Sequence, residues 1–420
     1  MSKIRFISNL GKINKKLYLN IFSLFSIYIF RFLINIITLP HLIKSYGADS
    51  WGEIVIFQII INYLIWIIDW SFNQHSSKLI SINDKNIEMR NRIFNITLTS
   101  QIILLIFSLI CTNLYGLLFA SEKSIYFYTN LIIIGNLLHP YWFINGLEKQ
   151  YEGAIIQLIN KIIFAIFILM LISKNSSISD YFLYLGLSSL ISGSIFTLRI
   201  LVYYKLKISL EKFSSAIRFL KDSFNLFIAE IWSNLSNSLI SLIISINIGN
   251  YDLGIFNIAD RIKSIAIQTV HPISNSLFPR MSKKYSRSKK EGNKSFEQIL
   301  FFTTLLTLIL FITINIFINP IVDYFAREYT ENVISILRIL LVVFMLNVFT
   351  DQFTLNYLIP NNLYKFIKEL KIFKFIFIIV LIFPLIKIFS LNGAALTLMI
   401  SELLVTIIII NKYNITKKLS

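Results

Sequence analysis

Long apolar segments recur along the whole chain and limit its fold more than any other feature. A helix needs about 20 apolar residues to cross roughly 30 Å of hydrocarbon. Twelve segments of about that length or longer lie at residues 17–39, 51–71, 93–115, 124–145, 153–172, 181–204, 219–247, 253–278, 298–318, 332–358, 366–386 and 391–411. Residues 375–383 are apolar at every position, unlike the alternating strands of a membrane barrel. The pattern predicts an all-α integral membrane protein of about twelve transmembrane helices, because helices satisfy their own backbone in lipid.

The charge of the chain follows the predicted topology. The formal net charge is +18, and 29 of the 40 Lys and Arg residues fall on one side of the membrane if the N-terminus is cytoplasmic. Five fall on the other side and six inside the spans. This asymmetry predicts that both termini are cytoplasmic. It also accounts for the basic charge without nucleic acid, and the single cysteine, Cys111, excludes an internal disulfide.

A weak internal repeat divides the sequence into halves. The first predicted span is followed by Gly47 and Gly52, and the seventh by Gly249 and Gly254, with the same spacing and an acidic residue between the glycines. Gly186 and Gly393 lie near the starts of the sixth and twelfth spans, at similar distances from the first pair and the second. The repeat predicts two six-helix bundles, residues 1–210 and 211–420, in a transporter-like arrangement.

Four motifs resemble a known family. Residues 140–149 read Pro-Tyr-Trp-Phe-Ile-Asn-Gly-Leu-Glu-Lys, which resembles the Pro-x-Trp-x-x-x-Gly-x-Glu segment of Wzx-type O-antigen and capsule polysaccharide flippases. The end of the first span (38–47), the eighth span (254–280) and the last span (391–402) are similar to the same family, in the same order. The resemblance extends over the whole chain.

The resemblance implies a fold and a function. The fold is that of the multidrug, oligosaccharidyl-lipid and polysaccharide exporters, with two six-helix bundles in a V. The function is translocation of an undecaprenyl-diphosphate-linked oligosaccharide from the cytoplasmic to the periplasmic leaflet of a bacterial inner membrane, by alternating access coupled to a gradient. The implied partners are this lipid-linked substrate and membrane lipid. A functional monomer is expected, and a complex with a polysaccharide polymerase and chain-length regulator is left open.

Ionisable and aromatic residues inside the spans are the candidate site residues. A lipid diphosphate requires cations in a wet cavity, and a cation at mid-membrane costs at least about 2.5–3.5 kcal/mol unless it faces such a cavity or an acid. The predicted substrate-cavity residues are the cations Arg31, Lys161, Arg261 and Arg338 and the sugar-stacking aromatics Tyr141, Trp142 and Trp232. The acids predicted for ion coupling or charge pairing are Asp69, Glu230, Asp260, Asp351 and Glu402. The predicted hinge or motif positions are Pro140, Gly146 and Pro272.

Neither catalysis nor a cofactor is expected. The four histidines are scattered, and the sequence contains neither a nucleophile-elbow motif, nor a phosphate-binding loop, nor metal-ligand spacing. Two alternatives stay open: a cation-coupled drug or small-molecule antiporter of the same superfamily, and an O-antigen polymerase or ligase. The second is disfavoured because the longest predicted outside loop, about 319–331, contains only one arginine, Arg327.

Overall fold

The computed structural model describes the backbone of residues 2–119 and 123–418 and most of their side chains. Within these ranges it contains fourteen α-helices and no strand. The helices are α1 (Ser2–Asp69), α2 (Phe72–Ile82), α3 (Ile87–Phe119), α4 (Lys123–Leu137), α5 (Tyr141–Gly146), α6 (Gln150–Leu171), α7 (Ile178–Tyr203), α8 (Phe213–Asn247), α9 (Asn250–Arg287), α10 (Lys289–Ile316), α11 (Ile318–Ala326), α12 (Thr330–Phe353), α13 (Tyr364–Phe389) and α14 (Leu391–Lys418). A 3₁₀ turn, Arg327–Tyr329, precedes α12, and a π-helical turn, Thr354–Leu358, follows it.

The prediction of an all-α membrane protein is confirmed. Each of the twelve apolar segments falls on helix, and α1 contains the first two. Among the described residues, eight helical stretches are long and apolar enough to cross a membrane. The predicted fourth span, 124–145, is interrupted at residues 138–140, so that its end forms the separate helix α5. The short helices α2 and α11 are additional elements that apolar run length did not reveal, because each is shorter than a membrane span.

Local chemistry fixes several helix ends. Ser177 and Asp180 form a capping box at the start of α7, in which Ser177 N donates to Asp180 Oδ2 over 2.8 Å. Pro140 occupies the N-cap position of α5, three residues after the end of α4. Ser390 has φ 51° at the sharp connection from α13 to α14.

The chain forms two compact units. Unit 1 contains Met1–Tyr46 and Phe57–Ile231, and unit 2 contains Gly47–Ile56 and Trp232–Ser420. The core of unit 1 includes the buried aromatics Phe72, Phe94, Trp142, Phe143 and Phe196. A core of unit 2 includes Phe296, Phe353, Tyr357 and Tyr413. The predicted six-helix bundles at 1–210 and 211–420 stay a prediction.

Candidate functional site

The first glycine of each motif in the sequence repeat has a positive φ. Gly47 has φ 72° and ψ 176°, and it kinks α1. Gly249 has φ 130° and ψ 174° immediately before α9. A side chain is strained at such φ values, so both positions require glycine. After the kink, the backbone N–H of Ala48 donates to Tyr329 Oη over 3.1 Å. This bond gives a partner to one of the N–H groups that have no acceptor within the helix at its N-terminus.

The second glycine of each motif lies against the first turn of the other motif. A Cβ on Gly52 would lie 1.8 Å from the carbonyl oxygen of Asn250, and a Cβ on Gly254 would lie 1.9 Å from the carbonyl oxygen of Ala48. The contact is therefore reciprocal, as between two copies of one element. We call this contact within unit 2, made by Ala48 and Gly52 with Asn250 and Gly254, the glycine crossing.

Arg261 lies on α9 about two turns after Gly254 of the glycine crossing. Its Nε donates to Asn257 Oδ1 over 3.0 Å, and the Trp51 Nε1 donates to the same oxygen over 3.2 Å. The guanidinium carbon lies 5.0 Å from the centre of the Trp51 ring, a cation–π contact worth about 0.5–2 kcal/mol. Trp51 is itself 1% exposed, so the platform under Arg261 is rigidly packed.

This arrangement suits an anionic ligand. Asn257 and Arg261 are four residues apart, which places them on one face of α9, together with Gly254. A guanidinium recognises phosphate and carboxylate through paired N–H donors. The Nε of Arg261 is hydrogen-bonded to Asn257, and one face of its guanidinium packs on the Trp51 ring. The orientation of the guanidinium is therefore set before any ligand binds. The four-residue spacing was readable in the sequence, but the contact with Trp51 was not.

Two of the predicted acids form ion pairs. Asp260 accepts a hydrogen bond from Lys263, whose side chain is 9% exposed. Glu402 on α14 accepts one from Lys374 on α13, and the Glu402 side chain is 3% exposed. Breaking a buried pair by removing one partner is strongly destabilising, because it leaves an uncompensated charge. The roles of Asp260 and Glu402 in ion coupling or charge pairing stay predictions.

Other predicted residues lie apart from the glycine crossing. In unit 1, Lys161 Nζ donates to Asn35 Oδ1 over 2.8 Å, and Asp69 Oδ1 accepts from Asn136 over 3.3 Å. In unit 2, Arg338 is exposed on α12. Their roles in a cavity or in coupling stay predictions.

Asp351 lies near the end of α12, close in sequence to the polar residues Gln352 and Asn356. The sequence analysis did not identify these two residues. Asp351 is half-buried beside the fully buried Gln352 and Asn356, and Asn356 Nδ2 donates to Gln352 Oε1 over 2.8 Å. The π-helical turn Thr354–Leu358 begins three residues further on, and such turns are frequent at functional sites. The coupling role of Asp351 stays a prediction.

The Pro-x-Trp motif is built into the core of unit 1. Trp142 is 3% exposed, with its ring 5.5 Å from that of Phe94. Tyr141 stacks on His139 with ring centres 5.4 Å apart. A Cβ on Gly146 would lie 2.6 Å from the Ile80 Cβ, so this glycine lets α5 approach α2 closely. The motif thus has a packing function in this structure, and the sugar contacts of Tyr141 and Trp142 and the hinge role of Pro140 stay predictions.

Four predicted residues cannot be placed. The side chains of Arg31, Glu230, Trp232 and Pro272 lie outside the part of the chain that the structure describes. Their predicted roles as a cavity cation, a coupling acid, a sugar contact and a hinge stay predictions.

A buried carboxylate that the sequence analysis missed lies where α6 begins. Glu152 is 5% exposed. Its Oε2 accepts from Arg199 over 3.2 Å, and its Oε1 accepts from Tyr204 over 3.3 Å. Lys149, in the connection before α6, donates to Tyr204 Oη over 3.1 Å, and this hydrogen bond raises the pKa of Lys149. The sequence signal that could have indicated this cluster is Glu152 three residues after Lys149. The residues that donate to Glu152, Arg199 and Tyr204, lie about 50 residues away in sequence.

Solved structures share the architecture of the chain. A lipid II flippase, MurJ, in an inward closed conformation superposes with a TM-score of 0.79 at 16% identity, covering 93% of this chain and 87% of that one. An inward-facing multidrug resistance MATE transporter of the MOP superfamily superposes with a TM-score of 0.73 at 14% identity, covering 94% of this chain and 99% of that one. At these identities the likeness shows the fold alone.

Sequence relatives agree with that fold. A proposed O-antigen transporter of Escherichia coli (strain K12) is 24% identical over 387 residues, which cover 90% of this chain and 91% of that protein. A second one, of Shigella dysenteriae, is 22% identical over 406 residues, covering 92% and 98%.

The fold and the relatives together define a multi-pass membrane protein of the transporter class. Within that class, the chain belongs to the polysaccharide biosynthesis protein family, whose model matches residues 17–285. The family resemblance predicted from the four sequence motifs is thereby confirmed.

Proposed function

We propose that this protein is a flippase that moves an undecaprenyl-diphosphate-linked oligosaccharide, the repeat unit of an O-antigen or capsule, from the cytoplasmic to the periplasmic leaflet. One observation carries the proposal: the chain matches O-antigen transporter relatives over about nine-tenths of its length on a fold that a lipid II flippase also has. An O-antigen transporter among the sequence relatives and a lipid II flippase among the structures support a lipid-linked sugar as the cargo.

The chemistry of Arg261 supports an anionic cargo. A diphosphate brings at least two negative charges into the membrane, where fixed, oriented donors stabilise charge more strongly than they do in water. Arg261, oriented by Asn257 and Trp51, is such a donor. Arg31, Lys161 and Arg338 are the further cations that we propose for the cavity. A drug antiporter of the same superfamily would have the same fold, so the fold alone does not separate the two functions.

The proposed setting is a bacterial inner membrane with both termini in the cytoplasm, which the distribution of Lys and Arg supports. Transport proceeds by alternating access and is driven by a cation gradient. The acids Asp69, Glu230 and Asp351 are the candidates for coupling. The protein works as a monomer with the lipid-linked oligosaccharide as its substrate.

Deleting the gene tests this function. We expect surface polymer to be lost and single lipid-linked repeat units to accumulate in the cytoplasmic leaflet, because later steps cannot reach them. The measurements are a gel of extracted lipopolysaccharide or capsule and the accessibility of the accumulated lipid-linked unit to an impermeant reagent in spheroplasts.

The same experiment separates the alternatives. Units that reach the periplasmic leaflet but are not polymerised would indicate a polymerase or ligase. Unaltered polymer with increased drug sensitivity would indicate an antiporter. Either result would overturn the proposed function.

A further inference from the structure

The connection between α7 and α8 is an extended segment fixed to the surface of unit 1. Residues Lys205–Lys212, which we call the strap, contain no helix. Leu206, near the start of the strap, is 7% exposed and belongs to the core of unit 1. The helix α7 is a candidate membrane span, and the sequence predicts the next span at residues 219–247. A connection between two successive spans is expected at the bilayer surface.

Side chains of α3 hold the backbone of the strap. Asn91 Oδ1 accepts from Lys207 N over 2.8 Å. Asn95 Nδ2 donates to Lys207 O over 3.0 Å, and Asn95 Oδ1 accepts from Ser209 N over 3.1 Å. Thr99 Oγ1 accepts from Glu211 N over 3.0 Å. The α3 residues therefore follow a spacing of four, and the strap residues a spacing of two.

This spacing has a geometric basis. Four residues advance about 6 Å along a helix, and two residues advance about 6.6 Å along an extended chain. The two periods agree closely enough for a helix to bind a parallel extended segment by successive side chains. The hydrogen-bonding backbone of the strap consequently faces α3, and the side chains between the anchor points project away from it.

The outward face of the strap combines apolar and basic side chains. Ile208 is 55% exposed, Leu210 is 70% exposed, and Phe213, at the start of α8, is 65% exposed. Residues 205–221 contain five basic residues and one acidic residue. The basic residues are all exposed, and they are Lys205, Lys207, Lys212, Arg218 and Lys221.

We propose that the strap and the first turns of α8 form a binding surface for anionic phospholipid headgroups. The apolar side chains of Ile208, Leu210 and Phe213 enter the boundary between headgroups and acyl chains, as those of interfacial segments do. The lysines meet the phosphates, since basic residues next to a span are attracted to anionic lipid. This surface does not depend on the proposed transport function, because none of its residues is among those proposed for the cavity or for coupling.

Two features favour lipid over a protein partner as the occupant. The strap joins α7, a candidate membrane span, to the predicted span at residues 219–247, so its exposed apolar residues lie next to a surface that faces the bilayer. Its net charge is positive, with one acidic residue, Glu211, against five basic residues in 205–221. This charge complements an anionic bilayer but opposes a second copy of the same basic surface.

Lipid selectivity at Leu210 tests the proposal. Full-length protein carrying Cys111→Ser and Leu210→Cys is labelled with a fluorophore and placed in nanodiscs of mixed phosphatidylcholine and phosphatidylglycerol. We expect quenching by spin-labelled phosphatidylglycerol to exceed that by spin-labelled phosphatidylcholine about fivefold or more, the equivalent of one basic residue at an anionic surface. Raising the salt concentration should reduce this preference.

Charge-matched variants provide the control. Lys205→Gln, Lys207→Gln and Lys212→Gln together should bring the preference close to one. The same loss of three charges at Lys289, Lys290 and Lys294, which are exposed at the start of α10, should leave the preference unchanged.

Two other results would overturn the proposal. One is iodide quenching at Leu210→Cys as strong as at an Asn175→Cys reference in the exposed turn before α7, because the strap would then face water. The other is protection from both quenchers that grows with the number of protein copies in a nanodisc, because a second copy would then be the occupant.

Replacing Asn95 tests how the strap is held. Asn95→Ala removes three hydrogen bonds to the strap, including that from Nδ2 to Ser209 Oγ over 2.8 Å. We expect trypsin to cut after the strap lysines roughly tenfold faster, because each lost bond favours local opening. Asn91→Ala removes one bond and should accelerate cleavage less. Equal cleavage of both variants and the parent protein would mean that these side chains do not hold the strap.

Discussion

Arg261→Ala is expected to reduce polymer export at least about a hundredfold at unchanged protein level. A charge-assisted hydrogen bond contributes about 1.5–3 kcal/mol, and a guanidinium can form two of them with one phosphate. Alanine removes both, together with the contact that places the cation over Trp51. The measurement is surface polymer in a deletion strain complemented with the variant, with protein quantified in the membrane fraction.

Conservative and positional variants separate ligand binding from packing. Arg261→Lys keeps the charge but loses the planar pair of donors, so part of the export should return. Asn257→Ala removes the acceptor that orients the Nε and should give an intermediate loss.

Arg287→Ala is the matched control. Arg287 is an exposed arginine at the end of the same helix, and it lies outside the proposed site. Normal export with Arg261→Ala, at parental protein level, would remove Arg261 from the site while leaving the family assignment intact. Lower protein level with Arg261→Ala but not with Arg261→Lys would instead indicate a structural role for the charge.

The sequence predicted the helices well because the membrane sets a simple condition on each of them. About 20 apolar residues are enough to define a span, so the segments could be read one by one without knowledge of their neighbours. The short helices could not be found in this way. The helix α5, for example, begins after Pro140 and depends on Gly146 to pack closely against α2.

The candidate site was only partly predictable, for a related reason. Arg261 was identified because a cation inside a span is costly wherever it lies. Its neighbour Trp51 is about 200 residues away in sequence, and no local pattern connects the two. The buried Glu152 and the anchors of the strap escaped notice for the same reason, since each depends on partners from a distant helix.

The glycine repeat was predictable in its positions but not in its contacts. Equal spacing in Gly47–Gly52 and Gly249–Gly254 predicted equivalent positions in two halves of the sequence. Gly47 and Gly249 share a positive φ and nearly equal ψ angles, although their φ values differ by about 60°. The spacing did not reveal that the two motifs touch each other, because a repeat specifies similarity and not contact.

Gly52→Ala and Gly254→Ala are each expected to destabilise the protein by about 2–3 kcal/mol or more, because overpacking of a tight contact costs this much. Each new methyl group would lie less than 2 Å from a backbone carbonyl oxygen, and a backbone atom cannot rotate away as a side chain can. The measurement is the apparent melting temperature of the purified protein in detergent. Gly153→Ala is the matched control, because its nearest neighbour is the side chain of Tyr141 at 3.2 Å.

The double variant gives the sharper result, because the glycine crossing is reciprocal. Separating α1 from α9 by little more than 1 Å would make room for the methyl group on Gly52 and for that on Gly254 at the same time. Once the first substitution has forced this separation, the second should cost little, so the double variant should melt close to the worse single variant. Additive losses of melting temperature would show that the two contacts relax independently, and that one separation of α1 from α9 does not relieve both. The same separation would withdraw Trp51 from Arg261, so each single variant should also lose export when its protein level is restored.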